Sequence, residues 1–271
     1  MKRFIAVVFT VVFFMGIISS AQAIDSPFVI DNIPNVVGVS GGMAPDYWGS
    51  NDYEAVAAPF FRYTIKGREL YVQFLATELS VNLLDHPNFT FGPVLNYRFG
   101  RDDNVEDKVV KKMEEIDDTV EAGLFAGYIW RDCRNPRHRF ITNLEFLQDV
   151  GDKYNGWVGL ASARYWYPIA RPVDVQIGVG TTYGNSQYMD TYFGVSGIDA
   201  TRTGLNRFDA DSGFRDVNAQ LAAVVHFSMN WHLGVGVKYF NLIGDASDSP
   251  IVEKRGQADQ FIYGFGLAYS W

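Results

Sequence analysis

Beyond its N-terminal segment the chain has no uncharged apolar run of the roughly 18 residues that a membrane-crossing helix needs. One cysteine excludes an intramolecular disulfide, and that residue, Cys133, lies in the polar stretch RDCRNPRH and reads as a loop thiol. His86, His138, His226 and His232 are the only histidines, and none stands at a ligand spacing from another histidine or from the cysteine. No basic stripe is present either. With 23 basic against 31 acidic residues the formal charge is −8, which argues against a nucleic-acid partner.

What the chain does have begins with MKRFIAVVFTVVFFMGIISSAQA: Lys2 and Arg3, an apolar run from Phe4 to Ile18, and a small-x-small ending at Ala21 and Ala23. This predicts a secretory signal peptide over residues 1–23, cleaved between Ala23 and Ile24. Acidic Asp25 and Asp31 follow where a membrane anchor would carry a cationic stop, and no cysteine at the cleavage site offers a lipid attachment point. Removing Lys2 and Arg3 lowers the basic count from 23 to 21 and takes the charge from −8 to −10 over a mature chain of residues 24–271.

That mature chain alternates. Phe89, Phe91, Pro93, Leu95, Tyr97 and Phe99 interleave with small or polar residues, as do Val173 to Tyr183, Val217 to Phe227 and Trp231 to Tyr239. The final stretch QFIYGFGLAYSW puts Phe261, Tyr263, Phe265, Leu267, Tyr269 and Trp271 on one face and Gly264, Gly266, Ala268 and Ser270 on the other. Weaker versions run through 35–44, 55–65, 69–79, 119–130, 139–148 and 157–167, with a further candidate at 186–195. Segments of about ten residues with this dyad repeat are the pattern of a transmembrane β-barrel.

A soluble sandwich also alternates, and three features separate the two. Aromatics stand near the ends of the apolar faces, as in an interfacial girdle. The opposite faces mix glycine with ionisable groups: Arg62, Arg98, Glu121, Glu145, Arg164, Asp174, Asp216 and Lys238. A polar lumen accommodates such a set and a sandwich core does not. Short connections such as ARP (170–172) and SMNW (228–231) alternate with long polar ones, the rhythm of periplasmic turns and external loops. The fold class expected is therefore all-β, a transmembrane antiparallel up-and-down β-barrel in the outer membrane. Parity favours 12 strands, with 10 the alternative.

The stretches GGMAPDYWGSNDYEAVAAPFFRY (41–63), GPVLNYRFGRDD (92–103), YMDTYFGVSGIDATRTGLNRFDADSGFRDV (188–217) and LIGDASDSPIVEKRGQADQFIYGFGLAYSW (242–271) together resemble the MipA/OmpV family of Gram-negative outer-membrane proteins. YFGVS and DASDSPIV are their most specific pieces. The resemblance implies a barrel scaffold in outer-membrane lipid whose named member partners a lytic murein transglycosylase and is thought to bridge it to a murein synthase. It also makes the closing strand (Phe265, Leu267, Tyr269, Trp271) resemble the signal read by the barrel assembly machinery. Sharing a fold does not transfer the partner.

No cofactor is expected, and the chain is not expected to be an enzyme. The sharpest contrary sign is HFS, which sets His226 and Ser228 two apart and so on one strand face, as an outer-membrane lipid hydrolase would need. No acidic residue at short spacing offers itself to orient that histidine. DADSG (209–213) and GDASDSP (244–250) cluster oxygens without matching a calcium loop. Tyr192, Phe193, Asp248, Ser249 and Pro250 read equally as a binding or gating element at the mouth and as filling that fixes the loops. Two function classes remain: an envelope scaffold with no conductance, and a small channel or binding barrel for a modest solute or antibiotic.

Overall fold

The computed structural model describes residues 35–271, so the expected signal peptide, with Ala23 and Ile24, lies outside the described residues. Twelve strands form one closed barrel: β1 (Asn35–Pro45), β2 (Tyr53–Thr64), β3 (Tyr71–Leu75), β4 (Glu78–Asn82), β5 (Phe89–Arg98), β6 (Thr119–Arg131), β7 (Arg139–Asp149), β8 (Trp157–Ala170), β9 (Val173–Gly184), β10 (Gly213–His226), β11 (Trp231–Leu242) and β12 (Asp259–Ser270). Each pairs antiparallel with the next, and β12 returns to β1, with Val36 opposite Ser270 and Met43 opposite Tyr263. Both described ends of the chain and five connections of two to seven residues lie at one end of the barrel, the periplasmic end by the usual rule, and the long connections lie at the other, with the two-residue β3–β4 turn on their side.

Alternation decides which way each side chain points. On β12 the aromatic set from Phe261 to Trp271 is exposed on the outside, while Gln260, Ile262 and Ala268 are buried. The same outward set on the other strands makes a continuous apolar belt, rimmed at the outer end by a ring-to-ring ladder from Phe146 through Trp157 and Tyr183 to Phe214. At the periplasmic rim Trp231 packs on Tyr269 and Phe89 on Tyr128. An exposed apolar belt between two aromatic girdles faces lipid.

The twelfth strand does not come from where the alternation suggested it. Residues 69–79 make not one strand but most of a short hairpin, β3 and β4, turning at Ala76 and Thr77 with Ala76 at φ 55°. Each arm is five residues long, so β2 pairs with β3 only over Phe60–Thr64, and its outer half pairs with β1 alone. Residues 186–195 are not a strand. They hold the helix α1 (Ser186–Phe193), because Asn185 caps it by accepting from the Tyr188 amide and its buried residues fall at helical spacing: Tyr188, Met189, Tyr192 and Phe193.

Among the described residues three further short α-helices, α2 (Gly197–Thr203), α3 (Asp245–Asp248) and α4 (Pro250–Arg255), and a 3-10 turn at Val110–Lys112 stand in the outer loops. They fold inward. Trp48, Tyr154, the four buried residues of α1, Ala246 and Val252 pack with Val94, Phe125, Leu147, Val158, Phe240, Leu242 and Ile262 of the wall into one apolar cluster. A second cluster, with Tyr47, Val105, Val110, Met113, Val195, Leu205 and Ile251, lies among the loops themselves. The core of this protein is therefore a plug in the outer half of the lumen.

Where β1 meets β12, Gly42 pairs with Gly264. A Cβ on Gly264 would stand 2.3 Å from the Gly41 carbonyl oxygen, and one on Gly42 would stand 2.2 Å from that of Tyr263. Closure of the barrel needs that bare contact. Gly264→Val is expected to destabilise the barrel by about 1–3 kcal/mol or prevent closure, seen as loss of the heat-modifiable folded band on gels. Gly197→Ala, whose Cβ would meet nothing within 4 Å, is expected to keep that band.

Candidate functional site

The site is the outer part of the lumen wall, where it meets the plug. Strand β10 carries a bulge between Phe214 and Asp216, which turns the consecutive residues Arg215 and Asp216 both inward and buries them. Arg215 Nε donates to Asp216 Oδ2 at 2.8 Å, Nη1 to the Tyr188 hydroxyl at 2.7 Å and Nη2 to Thr182 Oγ1 at 3.3 Å. Its guanidinium lies 3.9 Å from the centre of the Trp48 ring. One residue of β10 thus touches a wall strand, the β1–β2 loop and α1.

Across the lumen Arg98 makes a two-pronged pair with Glu121, Nε to Oε1 at 2.5 Å and Nη2 to Oε2 at 3.0 Å. Asn96 donates to Glu121 Oε2 at 2.8 Å, and the Tyr154 hydroxyl donates to Oε1. Burial and the neighbouring Glu121 carboxylate push the Tyr154 hydroxyl well up, so it stays protonated and donating. The Arg98 guanidinium also stands 5.3 Å from the Tyr188 ring. Both buried ion pairs therefore end on plug residues.

Other sequence-predicted lumen charges have different company. Arg62 lies in the periplasmic half, 3.9 Å over the Tyr71 ring and bonded to Gln73 at 3.2 Å. Glu145, Arg164 and Lys238 line a cavity of about 190 Å³ below the plug, together with Glu78, Asn143, Ser162 and Gln220. Asp174 stands at the periplasmic mouth, where Arg137 of the β6–β7 turn reaches its Oδ1 at 2.7 Å.

The remaining candidates lie in the plug and its loops. Phe193 and Ser249 are fully buried, and the Ser249 hydroxyl donates to the Phe193 carbonyl at 2.5 Å while capping α4, so YFGVS and DSPIV meet each other. Pro250 is the first residue of that helix, and Asp248 is exposed beside Ser247. The oxygen-rich loops spend several carboxylates on neighbouring amides: Asp245 accepts from Asp211 N, Asp190 from Ala210 N, Asp199 from Glu114 N and Asp46 from Glu106 N. Among the described residues no group of three or more His, Cys, Asp or Glu is placed to hold a metal ion.

The His226 and Ser228 arrangement is corrected. Strand β10 ends at His226, and Ser228 lies in the turn, where its hydroxyl accepts from Trp231 N at 2.9 Å and Asn230 N at 3.3 Å. An acidic residue does orient His226: Asp174 Oδ2 stands 3.0 Å from Nε2. The histidines, apart in sequence, also meet, because His226 and His232 are cross-strand partners with their Nδ1 atoms 2.7 Å apart. Sequence spacing missed Arg215, whose inward turn breaks the alternation, and this histidine pair, which only the hairpin register brings together.

The MltA-interacting protein MipA family matches residues 37–271 of the chain. YiaT of Escherichia coli (strain K12), named for the outer membrane, is 24% identical over 245 residues, covering 88% of this chain and 93% of that protein. Among solved structures the NanC porin aligns with a TM-score of 0.49 at 10% identity, over 88% of this chain and 100% of the porin. The COG4313 outer membrane channel from Pseudomonas putida F1 aligns with a TM-score of 0.48 at 12% identity, over 89% of this chain and 96% of the channel.

Removing one member of a buried ion pair strands the other, at a cost of about 3–5 kcal/mol. Glu121→Ala is expected to lower the urea midpoint and to make the segment after β9 protease-sensitive before the barrel unfolds. A second outcome concerns Asp107, joined to Arg255 of α4 at 2.6 Å. Burial pushes its carboxyl up, but the Arg255 hydrogen bond and the Val109 and Val110 amides outweigh it and hold it below the usual range. That contribution is present above the unfolded carboxyl value near about 3.9 and is lost as pH falls through the lower folded value. Proteolysis of the β5–β6 loop is expected to rise on acidification in that window, and Asp107→Asn to show the same susceptibility at neutral pH.

Proposed function

The chain is an outer-membrane β-barrel of the MltA-interacting protein MipA family, and we propose that it works by its surfaces, as a non-conducting envelope scaffold that links a murein hydrolase to a murein synthase. The observation that carries this reading is the plug. A twelve-stranded wall is wider than side chains alone fill and narrower than an open porin, so the loops decide whether solute passes. Here Trp48, Tyr154, Tyr188 and Phe193 fill the outer half, with Trp48 and Tyr188 held on Arg215, Tyr188 beside Arg98 and Tyr154 on Glu121.

Two further points support it. The family's description names an interaction with MltA, and a lytic murein transglycosylase is the partner class proposed for this chain. The periplasmic turns, which would face murein, expose Lys66, Arg68, Arg134 and Arg171 against Glu69 and Asp85, the last paired with Arg68, so the rim carries a small basic excess on a chain whose overall charge is −8. An acidic enzyme surface or anionic murein peptide suits such a rim.

A second reading rests on the polar cavity. Glu78, Glu145, Arg164 and Lys238 converge on about 190 Å³, space for several waters or a small charged solute. Ordinary small-molecule pockets start near about 300 Å³, so the scaffold is preferred.

Planar-bilayer recordings of the refolded protein are expected to be silent, and a variant with residues 187–210 replaced by a short Gly/Ser linker is expected to open ohmic steps. Steady openings of the unaltered protein would overturn the scaffold in favour of the channel. Co-sedimentation of reconstituted vesicles with a purified lytic murein transglycosylase is expected to be positive, and a folded barrel that retains none removes the partner.

A further inference from the structure

The periplasmic mouth of the lumen, apart from the plug and the cavity, holds a cluster that neither the scaffold nor the channel reading uses. His226 ends β10 and His232 stands opposite it on β11, their rings crossing at 81° with centroids 4.8 Å apart. We propose that these two imidazoles form a binding site for a late first-row divalent cation such as Cu²⁺ or Zn²⁺, ligated by the facing Nδ1 atoms.

The argument starts from the outer nitrogens. His226 Nε2 lies 3.0 Å from Asp174 Oδ2, and His232 Nε2 lies 2.8 Å from Ser270 Oγ. A carboxylate can only accept, so His226 Nε2 carries the proton and Nδ1 presents its lone pair inward. Ser270 can likewise accept from His232 Nε2, which leaves a second lone pair aimed at the first. An imidazole whose far nitrogen is held by an oxygen is the usual arrangement around a bound metal, because it fixes both tautomer and ring direction.

Distances agree. With metal–nitrogen bonds of about 2.0–2.1 Å, two nitrogen ligands stand about 2.9 Å apart at a right angle and about 3.3 Å apart in a tetrahedron. The observed 2.7 Å is a few tenths of an ångström short of that separation, and each ring must also tilt so that its lone pair points at the ion and not at the other nitrogen. Arg137 occupies the other oxygen of Asp174, so the carboxylate's charge is already offset and attraction for a hard cation is weak. Neutral nitrogen donors then select Cu²⁺, Ni²⁺ or Zn²⁺ over Ca²⁺ or Mg²⁺. With two protein ligands the remaining positions are water, and the ion is exchangeable rather than structural. In its absence His232 takes the other tautomer, its Nδ1–H donating to the His226 Nδ1 lone pair and its Nε2 accepting from the Ser270 hydroxyl.

The site is tested by calorimetric titration of Cu²⁺ into the refolded full-length barrel in detergent, with electron paramagnetic resonance of the loaded protein. One equivalent is expected to bind, with hyperfine splitting from two imidazole nitrogens. The double variant His226→Gln, His232→Gln, checked for folding by heat-modifiable migration, is expected to lose that binding. Asp174→Asn is expected to weaken it by about tenfold. No stoichiometric binding, a spectrum with fewer than two nitrogens, or undiminished binding by a folded double variant overturns the proposal. The spectrum of the unaltered protein decides even if the variants fail to fold.

Discussion

Two guanidinium groups buried in the lumen wall set the terms for everything above them. Arg98 and Arg215 each lie against a carboxylate, and in a low-dielectric interior such a pair is tolerable only when its remaining hydrogen-bonding capacity is met. The wall meets part of it through Asn96 and Thr182. A further part comes from Tyr154, Tyr188 and the Trp48 face, which belong to three different outer connections. Satisfying the wall therefore draws the loops inward, and the loops bring the apolar side chains that close the lumen.

The same requirement explains the acidic outer end. Long loops carry many backbone amides with no strand partner, and each must be paired when the loops pack. Asp46, Asp199 and Asp245 accept from amides of other connections, and Asp149 and Asp190 from their own; Asp149 alone takes the amides of Gly151, Lys153, Tyr154 and Asn155. Oxygen clusters that resemble a cation site in sequence are used here as caps. The plug is thus held together by carboxylate-to-amide bonds and to the wall by the two arginines. That two-sided restraint lets seven- and eight-residue helices persist, which would be marginal alone.

Much of the architecture could be read from residues because a barrel strand has a period of two and only two environments. Where lipid lies on one side and a polar lumen on the other, every second residue declares its face, and β12 does so along its whole length. Legibility failed where that period is interrupted. The bulge at Arg215 puts two neighbours on the inside, so alternation counted Asp216 and passed over the arginine. The hairpin of β3 and β4 has arms of five residues, too short to show several repeats. At α1 the buried spacing of Tyr188, Met189, Tyr192 and Phe193 is helical and was visible, but the aromatic content of the stretch competes for a strand assignment.

Sequence alone determined the class of solvent on each face, the antiparallel order of the strands and the end of the barrel that carries long loops. Those follow from local alternation and turn length, which act between residues near one another in the chain. Only the tertiary structure decided that the loops enter the lumen, that Ser249 meets Phe193 across 56 positions, and that His226, His232, Asp174 and Ser270 converge at the periplasmic mouth. Such contacts depend on strand register and barrel closure. Closure brings residues from distant parts of the chain to one point, and no local spacing records it.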